Sequence, residues 1–381
     1  MKRMLTLGGK IAGARLERSK ASPRYADGGF HNTHSAVPGL KRGTALPTVS
    51  EYFCGDQRRV PFSPLPSVNP LELWTKPFDT GLRATWLGHS TVLVEMDGVR
   101  ILTDPVWGER ASPLKFAGPK RFQAVPVAVS SLPTLDAVII SHDHYDHLDY
   151  PTILALAPRE MPFITSLGVG AHLEAWGVPV ERIIELDWWE HATLARGGVT
   201  ITATPSQHFS GRTIGSRNKT LWSSFAMRGA RHGVFFSGDT GLTPEYEEIR
   251  QRVGPFDLVM LEVGAYHPAW GDIHLGPENA LEALARLGGG AFLPVHWGTF
   301  NLALHGWDDP AETLVRLAPS KGAKLVMPRL GEPIEPSRVE SVVPWWRAVA
   351  ALESKAPSPP VQESAPAEER ALRETVEWPM D

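Results

Sequence analysis

The sequence has a single cysteine, Cys54, among its 381 residues. One cysteine excludes an internal disulfide and a cysteine-rich zinc cluster, and it is compatible with a reducing compartment. The sequence also lacks a run of about 18 apolar residues, which a membrane-spanning helix requires. Its first residues are basic but contain no continuous apolar core, so we predict no secretory signal. These absences favour a cytoplasmic protein, with peripheral contact to the inner membrane face as an open alternative.

A strong excess of one charge is absent as well. The 38 Lys and Arg residues are balanced by 42 Asp and Glu residues, which gives a net charge of −4. This balance argues against a dedicated nucleic-acid-binding protein, because such proteins are usually basic. Residues 1–43, however, carry nine basic and two acidic side chains. We interpret them as a solvated arm, with contact to anionic lipid or substrate as the alternative.

Composition divides the chain into three segments. The first 48 residues are rich in Gly, Arg, Ser and Pro and lack sustained periodicity, so we predict an irregular N-terminal arm and lead-in over residues 1–70. Residues 71–335 form a continuous body that is long enough for a large buried core. For residues 336–381 we predict a short helix and a disordered tail rich in Pro, Ala and acid. A membrane anchor at Trp345-Trp346 is the alternative for the start of this segment.

The body begins with strand patterns. The runs LRATWL, STVLVEM and VRILTD are rich in apolar and β-branched residues, and Asp97-Gly98 predicts a tight turn between the last two. Five further runs have the same character: 136–141, 199–204, 233–237, 257–262 and 291–295.

Helical patterns are interleaved with these strands. One begins at Pro277, has an apolar face, and ends at Gly288. For another, from Asp309 to about Leu317, we predict Asp309 as the capping residue and Glu312 as its reciprocal acid. Strands followed by mixed strands and helices predict a layered α/β protein with more than one sheet.

The segment LDAVIISHDHYDHLD, residues 135–149, carries the most informative motif. An apolar strand leads directly into a cluster of metal-ligand types: His142, His144, Asp146 and His147. Residues two apart on an extended chain point the same way, so His142 and His144 can bind one ion from one side. Imidazole and carboxylate are the ligands that zinc accepts where thiolate is absent.

One segment cannot complete two metal shells, since each zinc requires three or four protein ligands. Three further donors follow predicted strands: His208, Asp239 and His296. The two oxygens of an aspartate can bridge ions about 3.5–4 Å apart, which makes Asp239 the expected shared ligand.

These residues resemble the metallo-β-lactamase superfamily, whose HxHxDH motif is followed by single His, Asp and His ligands. Within it, the chain is similar to the N-acyl-phosphatidylethanolamine-hydrolysing phospholipase D branch. That similarity rests on motifs spread over 81–332: TWLGHSTVLVE, LTDP, ELDWWE, SQHFSGRT, NKTLW, GDTG, GPFDL, GAYHPAW and HWGTF. Two positions depart from the branch, because Glu262 replaces an apolar residue and His267 replaces an acid.

The resemblance implies a four-layer αβ/βα sandwich over 71–335 with two zinc ions at one edge, although iron or manganese can replace one zinc. It implies that His142, His144 and His208 hold one ion, that Asp146, His147 and His296 hold the other, and that Asp239 bridges them. The implied reaction cleaves a phosphodiester on the head-group side, giving phosphatidate and an N-acylethanolamine, by attack of a hydroxide shared by the metals.

Four more residues are candidates for supporting roles. The resemblance implies that Asp104, in LTDP, orients a ligand imidazole, and a turn aspartate before Pro105 is the alternative. His274 is a candidate for substrate contact or protonation, and capping of the helix at Pro277 is its alternative. Arg212 is a candidate partner for a phosphate oxygen, and an exposed surface arginine is the alternative. His89, together with Asp146 and His274, completes the candidate catalytic residues.

The sequence also leaves other functions open. A lactonase acting on a sugar-phosphate or acyl lactone would share the metal ligands and differ in the atom attacked. A non-catalytic zinc protein is disfavoured, because a structural site closes its coordination and does not share a bridging ligand. The substrate is therefore expected to be a phospholipid or another small phosphodiester or ester, without nucleic acid. A homodimer is left open, and the remaining histidines, including His172 and His305, are expected at the surface.

Overall fold

A computed structural model describes residues 5–34 and 55–353, together with residues 36, 41, 44, 48, 50 and 51. Cys54 and the acidic tail from residue 354 lie outside these residues. The strands, β1 to β16 in chain order, are Tyr25–Ala26, Gly29–Phe30, Leu82–Gly88, Thr91–Met96, Val99–Thr103, Ala137–Ile140, Phe163–Ser166, Ile183–Leu186, His191–Thr193, Thr200–Thr204, Ser224–Arg228, Gly233–Phe236, Leu258–Glu262, Ala291–Val295, Lys324–Leu325 and Pro333–Ile334.

Helices alternate with these strands. The α-helices, α1 to α8, are Gly13–Ala21, Leu71–Thr75, Tyr150–Leu156, Gly170–Ala175, Glu245–Val253, Gly276–Arg286, Asp309–Lys321 and Trp346–Glu353. Short 3-10 helices cover Leu5–Leu7, Val129–Ser131, Val180–Arg182, Ile214–Ser216 and Pro336–Arg338.

The strands form two seven-stranded sheets of similar design and a small hairpin, β1-β2. The first sheet has the order β16-β3-β4-β5-β6-β7-β8, and its strands are antiparallel up to β5 and parallel from β5 to β8. The second has the order β15-β14-β13-β12-β11-β10-β9, antiparallel from β9 to β12 and parallel from β12 to β15. The parallel halves place the carboxyl ends of several strands at one edge.

Alternating side chains of the first sheet enter two different cores. Trp86, Val92 and Ile139 pack between the sheets, in a cluster that includes Phe225 and Phe235 of the second sheet. Their neighbours along the strands, such as Leu87, Leu93 and Ile140, pack against α3 and α4 in a separate cluster. Apolar faces of α6 and α7 cover the second sheet. This arrangement confirms the four-layer αβ/βα sandwich.

The sequence patterns predicted the turn between β4 and β5 and the first residue of α7, but not how the N-terminus of α7 is capped. Asp97 and Gly98 both have positive φ values, 48° and 87°, in the turn that pairs β4 with β5. Helix α7 begins at Asp309 as expected but continues to Lys321. Its N-cap is Asp308, without a side-chain cap, and the Asp309 carboxylate instead accepts from the Gly306 N–H at 2.7 Å. The predicted capping box is therefore wrong.

The N-terminal arm is folded, which differs from the irregular segment that the composition predicted. The β1-β2 hairpin packs on the body through Phe30, whose N–H donates to the Asn218 carbonyl at 2.7 Å, and helix α1 packs on the body through ion pairs. Arg15 lies 2.5 Å from Glu185 and 2.7 Å from Glu174, and Arg18 lies 2.6 Å from Glu190. Part of the basic charge of the arm is thus paired within the chain.

The Trp345-Trp346 pair is part of the core, which argues against its use as a membrane anchor. Trp346 is fully buried, and both rings pack within 6 Å of the Trp297 ring. The indole N–H of Trp346 also donates to Glu312 in α7 at 2.6 Å. Along the described residues, no helix combines the length and apolar character that crossing a bilayer requires.

Candidate metal centre

The HxHxDH segment follows β6 at the edge where the parallel strands end. It places four side chains below 4% exposure: His142, His144, Asp146 and His147. Arg212 holds this loop from behind, because its guanidinium donates to the carbonyl oxygens of Asp143 at 2.7 Å and Leu148 at 2.9 Å. The fold of the loop therefore depends on a buried cation from the other half of the chain.

A first group of donors consists of three imidazoles. The Nδ1 atom of His144 lies 2.9 Å from His142 Nε2 and 3.3 Å from His208 Nε2. His208 is brought here by the chain that leaves β10, and Phe209 packs against the rings of His144 and His208. The Nδ1–H of His208 donates to the Ile273 carbonyl at 3.0 Å, which directs the Nε2 lone pair toward the group.

A second group combines a carboxylate with imidazoles. Asp146 Oδ2 lies 2.9 Å from His89 Nε2, 3.2 Å from His296 Nε2 and 3.4 Å from His147 Nε2. His296 follows β14, and His89 lies in the β3-β4 turn. The sequence placed His296 among the ligands and His89 among the catalytic candidates, and the structure brings both within reach of Asp146.

Asp239 lies between the two groups. Its Oδ2 atom is 3.1 Å from His147 Nε2 and 3.2 Å from His296 Nε2, and 3.8 and 3.9 Å from the Nε2 atoms of His208 and His142. Neither carboxylate oxygen of Asp239 receives a well-aligned hydrogen bond from the described residues. All seven sequence-predicted ligands thus converge on one small volume.

Asp104 contacts the second group from the side away from the donors. Its Oδ2 atom accepts from His147 Nδ1 at 2.6 Å and from the Ser141 hydroxyl at the same distance, and Oδ1 accepts from the Ser141 N–H at 2.7 Å. The contact fixes the His147 ring with Nε2 facing Asp239. A carboxylate behind a ligand imidazole is the usual arrangement around protein metal sites.

The two groups differ in protonation. Burial lowers the pKa of His144 to about 4 and holds those of His142 and His208 well below their usual value. These three rings are therefore neutral, the form that binds metal. Burial also opposes protonation of His147, but the nearby carboxylates, led by Asp239, outweigh it and raise its pKa. Burial and the neighbouring His296 together lower the pKa of His89 to about 3.

Backbone strain concentrates at this edge. His89, Asp104 and His296 have φ values of 51°, 31° and 64°, in the left-handed region that few non-glycine residues adopt. The His296 N–H donates to the His89 carbonyl at 3.0 Å, which joins two of these residues directly. Such strain clusters where a fold holds side chains for function.

His274 belongs to the site and does not cap α6. Its Nδ1 atom donates to the Glu262 carboxylate at 2.8 Å, and its ring centroid lies 5.1 Å from that of His208. The N-cap of α6 is Leu275, whose N–H donates to Glu262 at 3.2 Å. Glu262 also accepts from the N–H of Thr240, next to Asp239, at 2.9 Å. It therefore ties His274 to the loop that carries Asp239.

The prediction that Arg212 binds a phosphate oxygen is not supported. Both terminal nitrogens of its guanidinium donate to backbone carbonyls, including that of Thr6 at 2.8 Å. The guanidinium is also covered by the ring of Tyr145, with its central carbon 4.0 Å from the ring centroid. These contacts leave Arg212 a structural role beneath the loop.

Sequence reasoning missed two contributors. Asn32, in the N-terminal arm, donates from Nδ2 to the His208 carbonyl at 2.8 Å and accepts the His208 N–H at 3.0 Å. His172, expected at the surface, is buried with Nε2 3.3 Å from Asp143. His305 is only half-buried. No local pattern could identify Asn32, because its partner is distant in sequence.

The donor set fits metal ions. The first group has all its donor atoms within 4.8 Å of one another, and so does the second with His89 included. Ligands bound to zinc at 2.0–2.1 Å in a tetrahedron lie about 3.4 Å apart, close to the spacings seen here. Both Asp239 oxygens and His147 Nε2 have no hydrogen-bond partner among the residues described, and a cation would satisfy them. The cluster can therefore bind metal.

Comparisons with known proteins agree with this geometry. Residues 99–297, more than half of the chain, match the family model described as "Beta-lactamase superfamily domain". The chain belongs to this superfamily of metal-dependent hydrolases, and its fold is the metallo-β-lactamase fold.

Relatives extend the similarity across most of the chain. An uncharacterized protein of Mycobacterium tuberculosis is 44% identical, covering 86% of this chain and 88% of that protein. The N-acyl-phosphatidylethanolamine-hydrolyzing phospholipase D 1 of Caenorhabditis elegans is 38% identical, covering 59% of this chain and 66% of that protein. An isothiocyanate hydrolase from Delia radicum gut bacteria shares the fold at 24% identity and a TM-score of 0.54, covering 66% of this chain and 98% of that one.

Proposed function

We propose that this protein is a dinuclear zinc hydrolase of N-acyl-phosphatidylethanolamine that releases phosphatidate and an N-acylethanolamine. The observation that supports this proposal most strongly is that two groups of buried donors meet at Asp239. The carboxylate of Asp239 has no hydrogen-bond partner among the described residues. The similarity to the C. elegans phospholipase D supports the choice of a phosphodiester substrate. Residues 71–335 are the proposed hydrolase domain.

In this proposal one ion would be held by His142, His144 and His208 and the other by Asp146, His147 and His296, with Asp239 available to both. Imidazole and carboxylate ligands suit zinc, and they also suit iron or manganese at one position. Two such ions, when bound, supply a nucleophile at neutral pH and offset the charge that develops on phosphodiester oxygens. The chain supplies the fixed geometry, through Asp104 behind His147 and the Ile273 carbonyl behind His208.

The Glu262–His274 pair is the proposed proton source for the leaving alkoxide. Burial opposes protonation of His274, but the adjacent Glu262 carboxylate outweighs it and raises the pKa of the ring. Glu262 occupies Nδ1 and leaves Nε2 to donate a proton as the phosphorus–oxygen bond to the head group breaks. His89 is the weaker candidate of this kind, because its lowered pKa keeps it neutral near Asp146.

A metal count combined with a substrate screen tests the proposal. We expect the purified protein to retain two zinc ions per chain and to hydrolyse N-acyl-phosphatidylethanolamine, with phosphatidate detected by mass spectrometry. Hydrolysis of a lactone by zinc-loaded protein that leaves the phospholipid intact would reject the phospholipase assignment in favour of a lactonase. A single bound metal would reject the dinuclear centre.

The role of His274 has its own test. His274→Ala is expected to lower turnover by about 100-fold, the usual range for losing a general acid, while two metal ions stay bound. The matched control is Asp272→Asn, since the Asp272 side chain is 79% exposed on the same loop. Loss of metal in His274→Ala would instead make this residue part of the metal site.

A further inference from the structure

Three segments are linked through Tyr145 and Arg212 to the loop that carries the metal donors, and together we call them the rim: residues 5–13, 110–121 and 209–219. The Tyr145 ring packs in one cluster with Ala111, and its hydroxyl donates to the Arg212 carbonyl at 2.6 Å. Arg212 in turn donates to the Thr6 carbonyl. Tyr145 lies between His144 and Asp146, so the rim is in direct contact with the donor loop.

The rim exposes large apolar side chains at its tips. Leu5 is 65% exposed, Phe116 is 80% exposed and Ile214 is 96% exposed. Phe116 lies at the end of a loop whose base is closed by pairing of Arg110 with Lys120. Single exposed apolar residues are common on proteins, but three on the segments that border one site indicate a contact surface.

The rim is also strongly basic. Its three segments contain eight Lys and Arg residues and no Asp or Glu, whereas the whole chain has a net charge of −4. Arg212 is buried beneath the loop, and five of the eight are exposed: Lys10, Lys115, Lys120, Arg217 and Lys219. The nearest acid in sequence, Glu109, is paired with Lys120 at 3.2 Å. Exposed basic charge is thus concentrated on the segments beside the donor loop.

We propose that the rim docks on a membrane surface that contains anionic lipid. Basic side chains attract such a surface, and exposed apolar side chains insert at its boundary with the acyl chains. A soluble polyanion would account for the charge but not for Phe116 and Ile214. This inference rests on the proposed function, because a phospholipid substrate resides in a bilayer and docking by the rim brings the metal centre to its head group.

Vesicle flotation with the full-length, zinc-loaded protein tests the docking surface. We expect binding to phosphatidylcholine vesicles that contain about 30 mol% phosphatidylglycerol, and little binding to phosphatidylcholine alone. The double variant Phe116→Ser/Ile214→Ser and the single variant Lys115→Glu should each lower the bound fraction at least about fivefold.

Two variants elsewhere on the surface are matched controls. Val343→Ser removes an apolar side chain that is 72% exposed, and Lys321→Glu reverses an exposed charge at the end of α7. Both should bind anionic vesicles like the parent protein. Equal losses in the controls, equal binding to neutral vesicles, or retention on heparin without vesicle binding would each overturn the proposal.

A soluble phosphodiester separates this inference from the proposed function. Hydrolysis of bis(4-nitrophenyl) phosphate and the metal content should be unchanged in the rim variants, since none of the substituted side chains contacts the donors. If the parent protein binds anionic vesicles through the rim but hydrolyses no phosphodiester, the proposed function fails and the docking surface stands. If it hydrolyses the phosphodiester and ignores vesicles, the docking surface fails alone.

Discussion

Asp97 and Asp239 lie at opposite edges of the sandwich, and their surroundings differ. Asp97, in the β4-β5 turn, accepts the N–H groups of Arg231 and His232 at 2.9 and 3.1 Å and the His232 Nδ1–H at 2.7 Å. Asp239 meets several imidazoles, but neither of its oxygens receives a well-aligned hydrogen bond from the part of the chain that the structure describes. One edge uses a carboxylate to join the two sheets, and the other keeps a carboxylate available for a cation.

The difference indicates that the Asp97 edge contributes to folding stability, whereas the Asp239 edge is arranged for binding. At the first of these edges the Asp97 carboxylate has its partners within the chain, so removing one of them costs folding free energy. At the Asp239 edge the chain holds buried polar atoms without partners, which is costly unless a ligand satisfies them. The following predictions test this contrast.

The largest effect is expected from Asp239→Asn. This substitution keeps the shape of the side chain but removes the shared negative charge, so metal content should fall from two ions to at most one. Hydrolysis should fall at least about 100-fold, because each tenfold loss corresponds to about 1.4 kcal/mol of transition-state stabilisation. Elemental analysis and initial rates measure both effects. Asp97→Asn is the matched control and should retain both ions.

Metal removal is expected to have the next largest effect. At free zinc 100 times above its dissociation constant, one site stabilises the folded state by about 2.7 kcal/mol. Chelation should therefore lower the melting temperature of the parent protein, and added zinc should restore it. The same treatments should change Asp239→Asn much less. Identical shifts in the two proteins would place the stabilising metal elsewhere.

Asn32→Ala should weaken one metal ion selectively. The Asn32 amide supports the backbone of His208 through two hydrogen bonds, and loss of such support typically lowers metal affinity by about 10–100-fold. Competition with a chromogenic chelator should show one weakened and one normal ion. Thr33→Ala, at the adjacent exposed position, should leave both ions unchanged. Equal weakening of both ions would assign Asn32 a general folding role.

The smallest effect is expected from Asp97→Asn. We expect a loss of about 1–2 kcal/mol in the free energy of unfolding at pH 7, from weaker hydrogen bonds to Arg231 and His232. Burial raises the pKa of Asp97, but these donors outweigh it and lower the pKa below its usual value.

This pKa shift has a definite sign for stability. The stabilising contribution of Asp97 is complete above its unfolded pKa of about 3.9 and is lost as the pH falls through the folded value. Urea unfolding of metal-free parent and variant should therefore differ at pH 7 and converge below about pH 4. A constant difference across this range would contradict a charge-based contribution.

Local patterns in the sequence predicted a layered α/β fold and four of the seven donors of the centre. HxHxDH is contiguous, so its four donors could be found without any structure. His208, Asp239 and His296 each stand alone after a strand, and their grouping depended on the resemblance to a family. The convergence of all seven donors agrees with that grouping, but their occupancy by zinc is still a prediction.

Other features could not be predicted because they depend on distant contacts. In the sequence, a buried arginine with carbonyl partners cannot be distinguished from an exposed arginine that binds a phosphate oxygen. The contacts of Arg212 therefore could not be predicted. The Asp309 carboxylate bonds to Gly306, upstream of α7, which a helix-capping pattern does not reveal. The arm from residue 13 to 30 has little periodicity of its own, because its helix and hairpin are held by partners across the chain.

The wide separation of the donors along the chain has a consequence for biosynthesis. His142 and His144 emerge from the ribosome long before His296, the last proposed ligand. Because chains are synthesised from the N-terminus, a nascent chain could hold an incomplete first group while the second group does not yet exist. Both proposed sites would then be complete only after β14 and His296 have been translated. A chain with both ions bound would therefore be one in which the polypeptide up to His296 has been made and has folded.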